Sequence, residues 1–176
     1  MTNWTDTTLV QLRPCADALA WARTQPDAAT AWATCKRGDW MLWTAGRLSG
    51  PPESASRKRL VLAACDCAEL ARPYWREEDV PVLAHCLATT RAYARGEDGV
   101  TLEQVHATTS AASAAYASAG ATGAADAADA ADAAVGAAGA AAGAAAGAAS
   151  APRLATFTRC ADIMRTHYPV HPEAQS

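Results

Sequence analysis

The sequence predicts an all-α fold: a single-domain helical bundle of about six to eight helices over residues 1–176, one of them a long Ala/Gly-rich helix or helix pair. Three observations lead there. Alanine supplies 48 of the 176 residues, and Ala, Leu and Arg are strong helix formers. Val and Ile together number nine, too few β-branched residues to furnish a sheet. Helix start and stop signals divide the chain into short segments whose apolar residues recur at helical spacing.

A weak first helix is expected over 6–13. After Pro14 a better one carries Ala18, Trp21 and Ala22 at helical spacing and stops before Pro26. Asp27 is a good N-cap for the next, which gathers Ala31, Trp32 and Cys35 on one side. Gly38 is expected to close that helix and Asp39 to cap its successor, so that two helices meet at a sharp corner. The helix after the corner, 40–48, ends at Ser49-Gly50-Pro51-Pro52.

A longer helix is expected over 54–72. Its stripe of Leu60, Ala63, Ala64, Cys67, Leu70 and Ala71 leaves Arg57, Lys58 and Glu69 outside, and Pro73 ends it. Asp79 is expected to cap the next helix, with Pro81 in the first turn, where a missing N–H costs little. Leu83, Cys86, Leu87, Thr90 and Ala94 form its buried face, and Gly96 terminates it. Thr101-Leu-Glu-Gln104 is a capping box, with Val100 and Val105 at hydrophobic-staple spacing, so a helix begins there.

These motif-bearing helices occupy 5–110. The Ala/Gly tract, 111–149, contains 25 of the alanines. Leu102, Val105, Thr109, Tyr116, Gly120 and Gly123 fall within one arc of about 80°, opposite Asp126, Asp129 and Asp132. The tract is therefore expected to pad the bundle through a small-residue face, with a disordered linker as the alternative. The next obvious break is Ser150-Ala-Pro152. An unbroken helix to that point would measure roughly 70 Å, so a kink near 120–123 or within 136–147 is an equal expectation. The closing helix, 152–168, is expected to bury Leu154, Phe157, Ala161 and Met164, ahead of a frayed tail at 169–176.

A net charge of -3 and a pI near 5.8 argue against a nucleic-acid partner. Residues 1–6 have neither the basic region nor the apolar stretch of a secretory signal, and the uncharged run 133–149 is too rich in Ala and Gly to suit a membrane. The six cysteines lie within helical apolar patterns and read as reduced, buried small hydrophobes of a cytoplasmic protein. Cys65 and Cys67 point apart on a helix, which makes a poor metal chelate. His106, His167 and His171 read as surface histidines. No metal, no cofactor and no catalytic constellation is expected, and the chain does not read as an enzyme.

The densest segment is Cys35-Lys-Arg-Gly-Asp-Trp-Met-Leu-Trp43. Trp40, Trp43 and Arg47 share one helical face, and Leu42, Ala45 and Leu48 another. Trp and Arg dominate binding energy at interfaces, so Arg37, Asp39, Trp40, Trp43 and Arg47 are the candidate partner- or ligand-binding residues. The competing reading is that the Trp rings fill space left by alanines, with Arg37 and Asp39 paired across the corner. Of the two rings, Trp43 is expected to be core and Trp40 the more exposed.

Cys35-x-Arg37-Gly-Asp-Trp-Met-Leu-Trp43, then Arg59-Leu-Val-Leu-Ala-Ala-Cys65-x-Cys-Ala68, then Arg91-Ala-Tyr-Ala-Arg-Gly-Glu97 and a closing Ala161-Asp-Ile-Met-Arg165 resemble a family of bacterial and phage immunity proteins. The likeness covers most of 15–165. This chain departs from it in the tract, where Tyr116 stands alone and relatives intersperse more tyrosines. The resemblance implies an all-α, non-enzymatic protein that neutralises a cognate toxin or effector protein by direct contact. Because relatives occur in phages, it equally implies an anti-defence protein that inhibits a bacterial defence effector. A third possibility is capture of a small signalling nucleotide, with Trp stacking the base and Arg37, Arg47 or Arg59 pairing the phosphate.

Overall fold

The computed structural model describes residues 9–118 and 150–172. Within them lie a 3-10 turn (Val10–Leu12) and the helices α1 (Ala16–Ala22), α2 (Ala28–Thr34), α3 (Gly38–Leu48) and α4 (Ala55–Glu69). Two further 3-10 turns (Arg72–Tyr74 and Glu77–Asp79) precede α5 (Val80–Arg95), α6 (Leu102–Ser118) and α7 (Ser150–His167). The fold is all-α, and the described residues contain no strand. No described helix is long and apolar enough to cross a membrane. The expectations for the tract beyond Ser118, including its Asp and Gly faces, lie outside the described residues.

Helix α4 is the centre of the packing. Its neighbours are α3, α5 and α7, α7 also lies against α3, and α6 extends the array beyond α5. The α4 residues Leu60, Ala63 and Ala64 are fully buried, as are Ala161 and Met164 of α7. Most of these side chains are small, so the helices approach closely and each contributes little apolar area, at about 25 cal/mol per Å².

The closest approach explains a departure from the sequence expectation. Gly38 does not close α2. It opens α3, because a Cβ there would collide with Cβ of Cys160 and stand 2.6 Å from the backbone nitrogen of Ala161. The glycine is required for contact with α7, not for a left-handed cap. Asp39 accordingly sits in the first turn of α3 and caps nothing. The C-terminus of α2 is closed from a distance: Arg165 Nη1 of α7 donates to the carbonyls of Cys35 (2.9 Å) and Trp32 (3.3 Å). Such orphan carbonyls at a helix end need partners, and here they come from a helix 130 residues away.

Local chemistry fixes several other ends as expected. Asp27 Oδ1 accepts from the Thr30 amide at 2.7 Å, and Ser54 Oγ accepts from the Arg57 amide at 3.2 Å. The Asp27 carboxyl is held below its ordinary value by the Thr30 hydrogen bonds. The Thr101–Gln104 box is reciprocal, at 2.8 and 3.3 Å, and Gly96 ends α5 with φ +73°.

Other expectations are corrected. Of the helix expected over 6–13, residues 10–12 form a 3-10 turn and 6–8 lie outside the described residues; α4 stops at Glu69, ahead of Pro73. Asp79 takes the N-cap position of α5 as expected, but its side chain makes no cap hydrogen bond, because Arg76 Nε donates to the carboxylate at 2.6 Å. Leu154 is 56% exposed, unlike Phe157, Ala161 and Met164. The tail is anchored as far as His171, whose ring meets Trp32 edge-on at 5.5 Å.

All six cysteines are free thiols; Cys35, Cys65, Cys67 and Cys160 are buried, while Cys15 is exposed. Burial pushes the Cys65 thiol up to about 12, and contact with Cys160 together with burial raises that of Cys67. In the native protein, iodoacetamide should therefore label Cys15 quickly and the four buried thiols only on unfolding, read by mass spectrometry of the digest. Native labelling of Cys65 as fast as Cys15 would contradict the packing. Gly38→Ala should lower stability by about 2 kcal/mol or more in a denaturant titration. Gly46→Ala, whose Cβ would meet only Leu60 Cδ2 at 3.7 Å, should be neutral or stabilising.

Candidate functional site

Helices α1 and α2 are attached to the rest of the bundle mainly by long side chains. Trp32 Nε1 donates to the Tyr168 carbonyl at 2.8 Å, and its ring meets the Tyr168 ring edge-on. Tyr168 in turn donates its hydroxyl to the Ser56 carbonyl at 2.9 Å. Trp21 of α1 leans on Trp40 of α3 with ring centres 5.9 Å apart. Alanine backbones held at Trp distance leave a gap. A cavity of about 410 Å³ lies there, between α1–α2 and the α3–α7 pair.

Its walls include Trp21, Trp32, Trp40, Trp43 and Phe157, with Cys35, Met41 and Leu42 also lining it. Its polar lining comprises Arg13, Thr44, His171 and the Arg37–Asp39 pair at the start of α3. Arg37 Nε and Nη2 donate to the two Asp39 oxygens at 2.8 and 2.6 Å, a bidentate clamp. The guanidinium carbon lies 4.4 Å from the Trp40 ring centre and 4.9 Å from that of Phe157, so the cation is stacked as well as paired. The hydrogen bond to Asp39 holds the Arg37 pKa above its already high value. Cys35, hydrogen-bonded to the Arg37 backbone, is kept in its thiol form by burial.

Four of the five sequence-predicted residues, Arg37, Asp39, Trp40 and Trp43, come together on this cavity. Arg47 does not line it and is exposed. Arg59 is also elsewhere, with its guanidinium 5.7 Å from the Tyr168 ring. The expected order of the two tryptophans is not seen. Both rings are half-buried, and of the two it is Trp40 that packs against the buried core and on Trp21. Met41, Leu42 and Ala45 take the inward face of α3, and Trp40 shares the Arg37 guanidinium with Phe157 of α7. Trp21, Trp32, Phe157 and His171 also line the site, although the sequence marks the first three as core stripe and His171 as surface. Their signal was size: bulky rings on otherwise alanine-rich helices.

A second polar cluster ties α4, α5 and α7. Arg91 donates to Asp66 Oδ1 (3.0 Å), Glu69 Oε2 (3.1 Å) and the Cys65 carbonyl (3.3 Å). His167 Nε2 pairs with Asp66 Oδ2 at 2.8 Å, so this histidine is a tertiary contact and not a surface group. Burial works against the charge on Arg91, and the hydrogen bonds to Asp66 and Glu69 outweigh it. The cluster reads as a brace between the three helices. Among the described residues, no three His, Cys, Asp or Glu side chains group as metal ligands.

Compared with family models, curated proteins and solved structures, the chain matches none. The class that fold and site define is therefore a physical one: an all-α bundle with an aromatic-walled cavity and an internally neutralised ion pair.

Trp40→Ala should cost about 3 kcal/mol, the low end for truncating a large ring in a core. Trp43→Ala should cost about 1 kcal/mol, in the range of an ordinary substitution. Thermal melts of the two variants check the order, and equal losses would contradict it.

Proposed function

We propose that the protein is a non-enzymatic binding protein of the immunity type, acting in the cytoplasm to neutralise a cognate toxin or defence effector by stoichiometric contact. The observation that carries this reading is the aromatic cavity bordered by Arg37, Asp39, Trp40 and Trp43. Its walls include the residue types that dominate protein–protein binding energy, and Trp43 is half-buried there. The resemblance of the Cys35–Trp43 segment to immunity proteins points the same way. In the neutralising complex, the cavity receives an anchor group from the partner.

Capture of a signalling nucleotide is the weaker reading. A base would find stacking surfaces, but Arg47 and Arg59 lie outside the lining and Arg37 is already clamped by Asp39. The other cation of the lining, Arg13, is solvent-exposed, which makes it a weak counter-charge for the phosphate half of such a ligand.

The experiment is co-expression with each product of the neighbouring genes, scored for rescue of growth. It is followed by titration of the purified pair. Neutralisation should be complete at one equivalent, and Trp43→Ala should weaken the complex by about 2 kcal/mol, roughly thirtyfold, with its melting temperature nearly kept. Neutralisation at catalytic amounts would establish an enzyme instead. No rescue with any neighbouring product would overturn the reading.

A further inference from the structure

We infer that the cavity takes up one neutral planar ring bearing an N–H donor, the indole of a tryptophan side chain on the partner protein, with Asp39 as its acceptor. The inference rests on the partner-binding reading and supplies the chemistry of the contact.

Size sets the first bound. An apolar cavity of roughly 150 Å³ already holds a benzene ring. The cavity here, about 410 Å³, has room for a bicyclic ring, and Trp21, Trp40 and Trp43 are among its walls. Aromatic pairs of this kind gain affinity beyond the area they bury.

Charge sets the second. Arg37 and Asp39 neutralise each other through two short hydrogen bonds, and Cys35 beside them is a neutral thiol. An ammonium entering here would meet Arg37 while competing for Asp39. A carboxylate or phosphate would meet Asp39, with the facing cation already committed. Arg13, the other cation of the lining, is solvent-exposed. A charged guest of either sign would be desolvated without a dedicated counter-ion, which is costly. A neutral ring avoids that cost.

The third bound selects among neutral rings. A carboxylate has about four acceptor sites, and Arg37 occupies two of them on Asp39. The carboxylate is about one-third exposed and lines the cavity, so it can still accept a hydrogen bond from inside. Indole brings one N–H and no other polar atom. Phenylalanine would leave the acceptor unused, and a purine would bring several polar edges into a wall made mostly of carbon.

The test is calorimetric titration of the full chain with N-acetyl-L-tryptophanamide, its 1-methylindole derivative, N-acetyl-L-phenylalaninamide and adenosine. The tryptophan amide should bind one to one with a Kd of about 1 mM or tighter, and the other three at least tenfold more weakly, a difference of about 1.4 kcal/mol. Ala18→Phe, which fills the cavity from α1, should abolish binding while keeping the melting temperature. Should that variant fail to fold, Trp43→Ala, which removes one wall, should weaken binding at least tenfold. The inference is overturned by any of four results: no saturable binding up to about 10 mM, binding unchanged in the cavity variants, equal binding of the 1-methyl derivative, or tighter binding of adenosine. Because the titration contains no partner, its failure leaves stoichiometric neutralisation standing, and failure of growth rescue leaves the ring site standing.

Discussion

The contact between Gly38 and the Cys160–Ala161 backbone sets the geometry on which the rest of the structure depends. Only a residue without a Cβ lets the start of α3 press against α7 this closely. Once α7 is seated there, Arg165 reaches the open carbonyls of α2, and Tyr168 meets both Trp32 and the Ser56 carbonyl at the start of α4. One close approach thus positions the closing helix against three others. The same approach puts Phe157 over the Arg37 guanidinium, so the wall of the cavity and the ion pair within it follow from it.

The molecule solves the problem of an alanine-rich core in two different ways. Among α3, α4 and α7, the helices come close enough for Ala, Cys and Gly to make contact, and Leu60 and Met164 fill what remains. Between α1–α2 and the rest, the backbones stand farther apart and tryptophans span the distance. Large rigid rings do not tile a space as completely as mixed side chains, and the residue of that mismatch is the cavity. The candidate site is the direct consequence of the amino-acid economy of the chain.

Polar groups inside this bundle are committed to specific partners. Arg37 is clamped by Asp39, Arg165 by α2 carbonyls and Asp162, and Arg91 by Asp66 and Glu69, with His167 completing the last cluster. Each arginine uses the fan of its guanidinium donors to reach several acceptors at once. Small apolar contacts alone specify register weakly; directional charge-assisted bonds add what the alanines lack. The ion pair in the cavity follows the same pattern, which is why it presents stacking surface and one shared acceptor in place of a free charge.

What the sequence determined by itself was local. Composition decided the helical class. The Asp27 cap, the Thr101–Gln104 box, the Gly96 terminator and the stripe Leu60-Ala63-Ala64-Cys67 each appear where their chemistry places them, because a cap or a 3.6-residue period acts within one or two turns. The candidate residues Arg37, Asp39, Trp40 and Trp43 were legible as a dense segment, since Trp and Arg are conspicuous against alanine. The tertiary structure decided the rest. Gly38 has the same sequence context whether it ends one helix or begins the next, and contact with α7 settles which. Asp39 and Asp79 look like caps until an arginine takes their carboxylates. The packing of Trp40 against the core and the recruitment of Trp32 and Phe157 to the site depend on where α7 lies. That position comes from contacts more than a hundred residues apart, beyond the reach of any local pattern.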